Sequence, residues 1–165
     1  MNQKIGFAHW LAFLLPAGLL AGAYGSQYIG GLPPCEMCWW QRWPHFAALP
    51  FALGAFLLPG DGLRRILVAL AALAVLVSGL IGGFHAGVEY GWWEGLTRCA
   101  TAMPAGNTTD DVLNSIMAAP LVRCDTAPWS MFGISLAGYN FLLSLGGAVA
   151  IYGLLRRKNT GTIVA

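Results

Sequence analysis

Apolar residues gather into four long runs along the chain, and polar residues fill the gaps between them. The first run, about 7–24, is interrupted only by His9 and Pro16 and follows a short polar start carrying Lys4. The second, about 39–58, has Pro44 in its first turn, where a missing N–H costs little, and Pro50 further in, where a kink is expected. Pro59-Gly60-Asp61-Gly62 predicts a tight turn, Arg64-Arg65 follow it, and a third run covers about 66–84. The fourth covers about 134–155 and stops at Arg156-Arg157-Lys158. Each run is near the length of about 20 residues that a helix needs to cross a bilayer. The expected fold is all-α: a polytopic four-helix transmembrane bundle, one domain over 1–165, with external loops at about 25–38 and 87–131.

The first run also has the three parts of a secretory leader, Lys4, an apolar stretch and Ala21-Gly22-Ala23. A retained span is the favoured reading, and either way the residues after Tyr24 emerge on the same side. Within the second loop, Thr108-Thr109-Asp110-Asp111 precedes Val112, Leu113, Ile116 and Met117, and Pro120 follows. A capping threonine, acids in the first turn and apolar residues at helical spacing predict a short amphipathic helix that can lie on the bilayer.

Composition agrees with a membrane protein: 57% of residues are hydrophobic and 10% charged. The net charge of +2 is too small to suggest nucleic-acid binding. Lys4, Arg64, Arg65, Arg156, Arg157 and Lys158 fall on the side of the termini, and Arg42, Arg98 and Arg123 on the other. Six against three sets both termini in the cytoplasm. All four cysteines then face outward, Cys35 and Cys38 in the first loop, Cys99 and Cys124 in the second.

Four external cysteines ordinarily mean structural disulfides. Cys35 and Cys38, however, form a Cys-x-x-Cys pair, which closes too short a loop to stabilise much and recurs at redox sites. Cys38 opens a helix, whose unpaired N–H groups favour a thiolate. Arg42 lies one turn further on the same face and can favour it too, although a snorkelling interfacial anchor explains Arg42 equally well. Trp39, Trp40 and Trp43 fit an interfacial aromatic belt. His85, at the end of the third run, must emerge on the face that carries Cys38 and Arg42, though a lone histidine there is more often a packing residue. A metal site would have to draw cysteines from both loops and would leave no disulfide relay. Metal is not expected.

Pro34-Cys35-Glu36-Met37-Cys38-Trp39-Trp40-Gln41-Arg42, the second external cysteine pair, and Trp129-Ser130-Met131-Phe132-Gly133-Ile134-Ser135 with Ala137-Gly138-Tyr139-Asn140 together resemble the disulfide-bond formation protein B (DsbB) family over nearly the whole chain. The resemblance implies a thiol:quinone oxidoreductase of the bacterial inner membrane, with its cysteine loops in the periplasm. In it, a reduced thioredoxin-fold, DsbA-like partner attacks a Cys99–Cys124 disulfide at Cys99, Cys124 then attacks Cys35, and Cys38 passes electrons to a bound quinone, ubiquinone or menaquinone. Arg42 and His85 are the quinone neighbours it implies. A DsbA-like partner is already strongly oxidising, at about −120 mV, so the driving force must come from the quinone. Glu36 departs from the pattern by adding negative charge beside the thiols, which would raise both pKa values. A vitamin K epoxide reductase type of protein shares four spans and a Cys-x-x-Cys, but there the pair is expected late, before the last span.

Overall fold

The computed structural model describes residues 6–97, Thr108, Asp110 and 122–160. Four long helices make up most of it: α1 (Phe7–Tyr28), α2 (Glu36–Leu57), α3 (Asp61–Glu89) and α4 (Leu136–Thr160). The amphipathic helix expected after Thr108 and the residue Cys99 lie outside the described residues. Three of the helices, α1, α3 and α4, are long and apolar enough to cross a membrane. At about 1.5 Å per residue, the 22 residues of α1 reach about 33 Å, matching a hydrocarbon core of about 30 Å. The chain is thus a multi-pass membrane protein. α2 is as long as α1 but carries Gln41, Arg42 and His45, all buried.

All four helices run further than the apolar runs predict, α4 ending at Thr160 rather than near Leu155. α1 continues past Tyr24 to Tyr28, α3 past Phe84 to Glu89, and α2 begins at Glu36 rather than Trp39. Two of these extensions carry polar residues that find buried partners, Gln27 with Arg42 and His85 with Gln41, so the helix need not end where the apolar run does. At the turn, Pro59 and Gly60 stay outside the helices and Asp61 already opens α3.

Packing is inverted relative to a water-soluble bundle. Ala12, Ala48, Ala52, Ala55, Ala71 and Ala72 fill the core, while Leu14, Leu53, Leu73, Leu80, Leu142 and Val149 face outward. In lipid there is no hydrophobic gain in burying a leucine, so small residues that let backbones approach take the interfaces. Gly79 lets α3 and α4 approach closely: a Cβ there would lie 2.9 Å from Ser144 Cβ.

Before α4, the strands β1 (Ser130–Met131) and β2 (Ile134–Ser135) form a two-residue antiparallel hairpin. Phe132 and Gly133 at its tip have φ of 52° and 76°, the left-handed pair of a tight hairpin turn. Tyr90 ties this hairpin to the end of α3, donating from its hydroxyl to Gly133 O (2.8 Å) and accepting from Ser135 N–H (2.9 Å).

Candidate functional site

Pro33 and Pro34 hold the chain extended up to Cys35, which caps α2. Its sulfur accepts the N–H of Cys38 at 3.3 Å, the place a serine or aspartate oxygen takes in an ordinary cap. The spacing of the Cys-x-x-Cys is therefore the spacing of a cap and its third helical residue. Cys35 and Cys38 are free thiols with sulfurs 2.9 Å apart. Both stand ahead of the segment expected to enter the membrane at Trp39.

The two thiols are not equivalent. Cys35 keeps its proton, pushed far above the ordinary thiol range by its hydrogen bond to Cys38, then by burial and by negative charge on Cys38. Cys38 is held below that range, first by the hydrogen bond from Cys35, with burial opposing and its bond to the Cys35 backbone assisting. Arg42 helps, but as the smallest of the named causes. Glu36 is exposed and is not among the causes of either shift.

Arg42 is 6% exposed and points to α1 rather than to Cys38. Its guanidinium donates to Gln27 Oε1 (2.7 Å) and Ala23 O (3.2 Å), and lies 4.9 Å from the ring centres of both Tyr24 and Trp39. Among the described residues no carboxylate lies within ion-pair distance of it. A buried cation held by aromatic faces and neutral acceptors retains N–H donors for an acceptor on a ligand. Trp43 is exposed as a belt residue would be, whereas Trp39 covers Arg42.

His85, expected from its position to share a membrane face with Cys38 and from the resemblance to neighbour a quinone, is in the middle of the site. Its Nε2 is 3.6 Å from Cys35 Sγ, 3.2 Å from Cys124 O and 3.7 Å from Glu89 Oε1, while its Nδ1 is 2.7 Å from Gln41 Nε2. Cys124 is disulfide-bonded and buried, and Thr97 Oγ1 donates to its sulfur at 3.5 Å. Cys35, Met37, Val88 and Cys124 pack as one small core. The structure therefore brings Cys35, Cys38, Cys124 and His85 together, and Arg42 shares a cavity wall with Cys38 and His85.

A cavity of about 370 Å³ opens beside them, walled by α1, the Leu32–Pro34 segment, α2, the end of α3 and the start of α4. Leu19, Leu20, Leu136 and Leu143 supply apolar wall; Cys38, Gln41, Arg42, His45, His85, Glu89 and Asn140 supply polar points. Sequence reasoning missed the network under this cavity. Asn140 Nδ2 donates to Gln41 Oε1 (2.9 Å) and Ser78 O (3.2 Å), and Asn140 Oδ1 faces His45 Nε2 (3.0 Å) and Ser144 Oγ (3.0 Å). The signal available was polar side chains within apolar runs, which cost too much in a bilayer to be there without partners.

A helical membrane bundle with a dithiol capping one helix, a disulfide-bonded cysteine packed against it and an apolar cavity alongside defines a membrane thiol–disulfide protein. The family model described as disulfide bond formation protein DsbB matches residues 6–154, and the chain belongs to that family. It is similar to disulfide bond formation protein B of Methylococcus capsulatus, at 31% identity over 82% of this chain and 85% of that one. The protein of the same name from Marinobacter nauticus is 29% identical over 89% and 90%, and an uncharacterized Rickettsia prowazekii protein, RP370, is 25% identical over 76% and 73%. No solved structure gives a significant match. The protein is thus a membrane disulfide-bond formation protein.

Proposed function

We propose that this chain is a thiol:quinone oxidoreductase that reoxidises a periplasmic DsbA-like dithiol oxidase. The observation that carries the reading is an order in space. Cys38 lines the cavity, Cys35 is 2.9 Å behind it, and the imidazole of His85 reaches both Cys35 and the Cys124 carbonyl. In the proposed topology all four helices span the bacterial inner membrane, α2 included, with both termini cytoplasmic and the cysteine loops periplasmic. The buried polar residues of α2 lower its hydropathy but face the other helices rather than lipid.

A quinone, ubiquinone or menaquinone, needs an apolar slot for its ring and donors for two carbonyl oxygens. The cavity offers both, since Arg42 has more N–H groups than its two acceptors use. His45 supports the fit further. Its Nε2 faces Asn140 Oδ1, and its buried Nδ1 has no partner among the described residues, leaving an acceptor that suits the O–H of a reduced ring. Cys38, Arg42 and His45 would hold the ring, with His85 beside them in the cavity wall, its ring nitrogens facing Gln41, Cys35 and the Cys124 carbonyl. When bound, the quinone supplies a two-electron acceptor of high potential.

The chain's own residues carry the exchange. A thiolate of the partner attacks Cys99 of a Cys99–Cys124 disulfide, and Cys124 leaves as thiolate. Cys124 then attacks Cys35, the Cys35–Cys38 bond breaks, and the electron pair stays on Cys38. A low-pKa sulfur is the better leaving group, and Cys38 is the sulfur whose charge this site stabilises. The partner's second thiolate attacks the partner sulfur of the mixed disulfide, so the partner leaves as a disulfide and Cys99 as thiolate. Cys99 then attacks Cys124, which re-forms the Cys99–Cys124 bond and releases Cys35, leaving a Cys35/Cys38 dithiol whose two electrons a bound quinone would accept.

Purified protein supplied with quinone and a reduced thioredoxin-fold dithiol should form quinol. Cys38→Ser should abolish quinol formation while the partner still forms a mixed disulfide. A Cys38→Ser variant that turns over normally would refute the assignment.

A further inference from the structure

His85 lines the cavity, yet its Nε2 is engaged with Cys35 and the Cys124 carbonyl and its Nδ1 with Gln41. We infer that His85 is a positioning residue that docks the Cys124 peptide onto Cys35, and that Gln41 and Asn140 hold it in the one tautomer able to do so. The inference rests on the relay proposed above.

Two backbone carbonyls fix the hydrogens. Met37 O and Ser78 O can only accept, and they face Gln41 Nε2 (3.2 Å) and Asn140 Nδ2 (3.2 Å). Asn140 Nδ2 also donates to Gln41 Oε1 at 2.9 Å, so the atom of Gln41 that meets His85 Nδ1 at 2.7 Å is an amide nitrogen with a hydrogen to give. His85 Nδ1 is therefore the acceptor, and the single N–H of the neutral ring is on Nε2. That N–H faces Cys124 O at 3.2 Å and Cys35 Sγ at 3.6 Å, with Glu89 Oε1 further off at 3.7 Å, so the Cys124 carbonyl is its nearest acceptor. Turning the Gln41 amide over would set Oε1 against Met37 O and Nε2 against Asn140 Nδ2, losing two hydrogen bonds and opposing like dipoles twice.

The same spacing invites another reading. Cys35, Cys38 and His85 offer ligand atoms within 4.8 Å of one another, close enough for a thiophilic cation. A ligating imidazole needs its lone pair at Nε2, and the amide chain withholds it. The Nε2–H instead ties the main chain of Cys124 to the sulfur that Cys124 attacks. In that step the Cys35–Cys124 bond forms, the Cys35–Cys38 bond breaks and the electron pair leaves on Cys38. No proton passes through His85.

The test uses the full chain carrying Cys38→Ser and Cys99→Ser, so that only Cys35 and Cys124 can pair. Equilibration in reduced and oxidised glutathione, followed by alkylation and mass analysis, gives their effective concentration. His85→Ala should lower it about tenfold, the upper value of one hydrogen bond, and Gln41→Leu should lower it in the same direction. His85→Gln, which keeps an N–H at a similar reach, should restore most of it. Nitrogen-15 spectra of the unsubstituted protein should place the ring proton on Nε2. An unchanged effective concentration in His85→Ala overturns the inference and spares the relay. Absence of any Cys35–Cys124 bridge in the parent overturns both. A ring proton on Nδ1, with cadmium bound through the imidazole of the dithiol protein, overturns the inference in favour of a cation site.

Discussion

Asn140 is the keystone of the polar network, and its replacement gives a prediction with a calculable size. Asn140→Ala removes bonds to three residues on other helices, Gln41, His45 and Ser78. His45 Nε2 keeps Ser78 Oγ at 2.8 Å, and the Ser144 hydroxyl can turn to its own helix. Gln41 Oε1 is left buried without a donor. One orphaned polar atom costs about 1–3 kcal/mol. Counting from the other direction, interhelical hydrogen bonds in membranes average about 0.6 kcal/mol, so three partner residues come to about 2 kcal/mol. Both routes give about 2 kcal/mol. Reversible unfolding in mixed detergent micelles measures it. Asn140→Asp separates donor from shape: the carboxylate is isosteric but has no N–H to give Gln41 Oε1, so it should cost at least as much as alanine. An Asn140→Asp protein as stable as the parent would refute the donor assignments.

Two further outcomes follow from the thiols and from Arg42. With both loops reduced, iodoacetamide should label Cys38 before Cys35, because charge is held on Cys38 and the proton on Cys35. A thiol whose pKa is lowered keeps its thiolate as pH falls through the ordinary thiol range. Labelling of Cys38 should therefore decline by less than the roughly tenfold per pH unit of a simple thiol between pH 8 and 7, and equal rates and slopes for the two cysteines would contradict the site. Arg42→Lys keeps the charge but loses the planar fork that reaches Gln27 and Ala23 while lying between two rings. Quinone affinity, read by equilibrium binding, should fall about tenfold for the loss of one charge-assisted hydrogen bond, and unchanged affinity would remove Arg42 from the cavity's binding groups.

The helices were legible because length and apolarity are local properties of the chain, and so was the redox pair, because its spacing is short. What stayed hidden was whatever depends on distant partners. The second helix begins at Glu36 because a cysteine sulfur caps it, and cysteine is not among the residues that announce a cap. Arg42 was expected to act on Cys38, one turn away, yet its nearest acceptor is Gln27, fifteen positions back on another helix. His85 read as a span-end histidine because nothing local reveals Gln41 and Cys124, 44 and 39 positions away, as its partners. Gln41, His45, Ser78 and Asn140 stood out only as polar residues in apolar runs, and their pairing needs the bundle.

The most direct test of the relay follows the redox state of all four cysteines anaerobically, by alkylation and mass analysis, in quinone-free protein treated with excess reduced thioredoxin-fold dithiol. The account predicts that both pairs become reduced, that both return to disulfides when quinone is added, and that in Cys38→Ser the remaining cysteines stay reduced. A Cys35–Cys38 pair that never exchanges with the donor, or that quinone leaves reduced in the native chain, would contradict it.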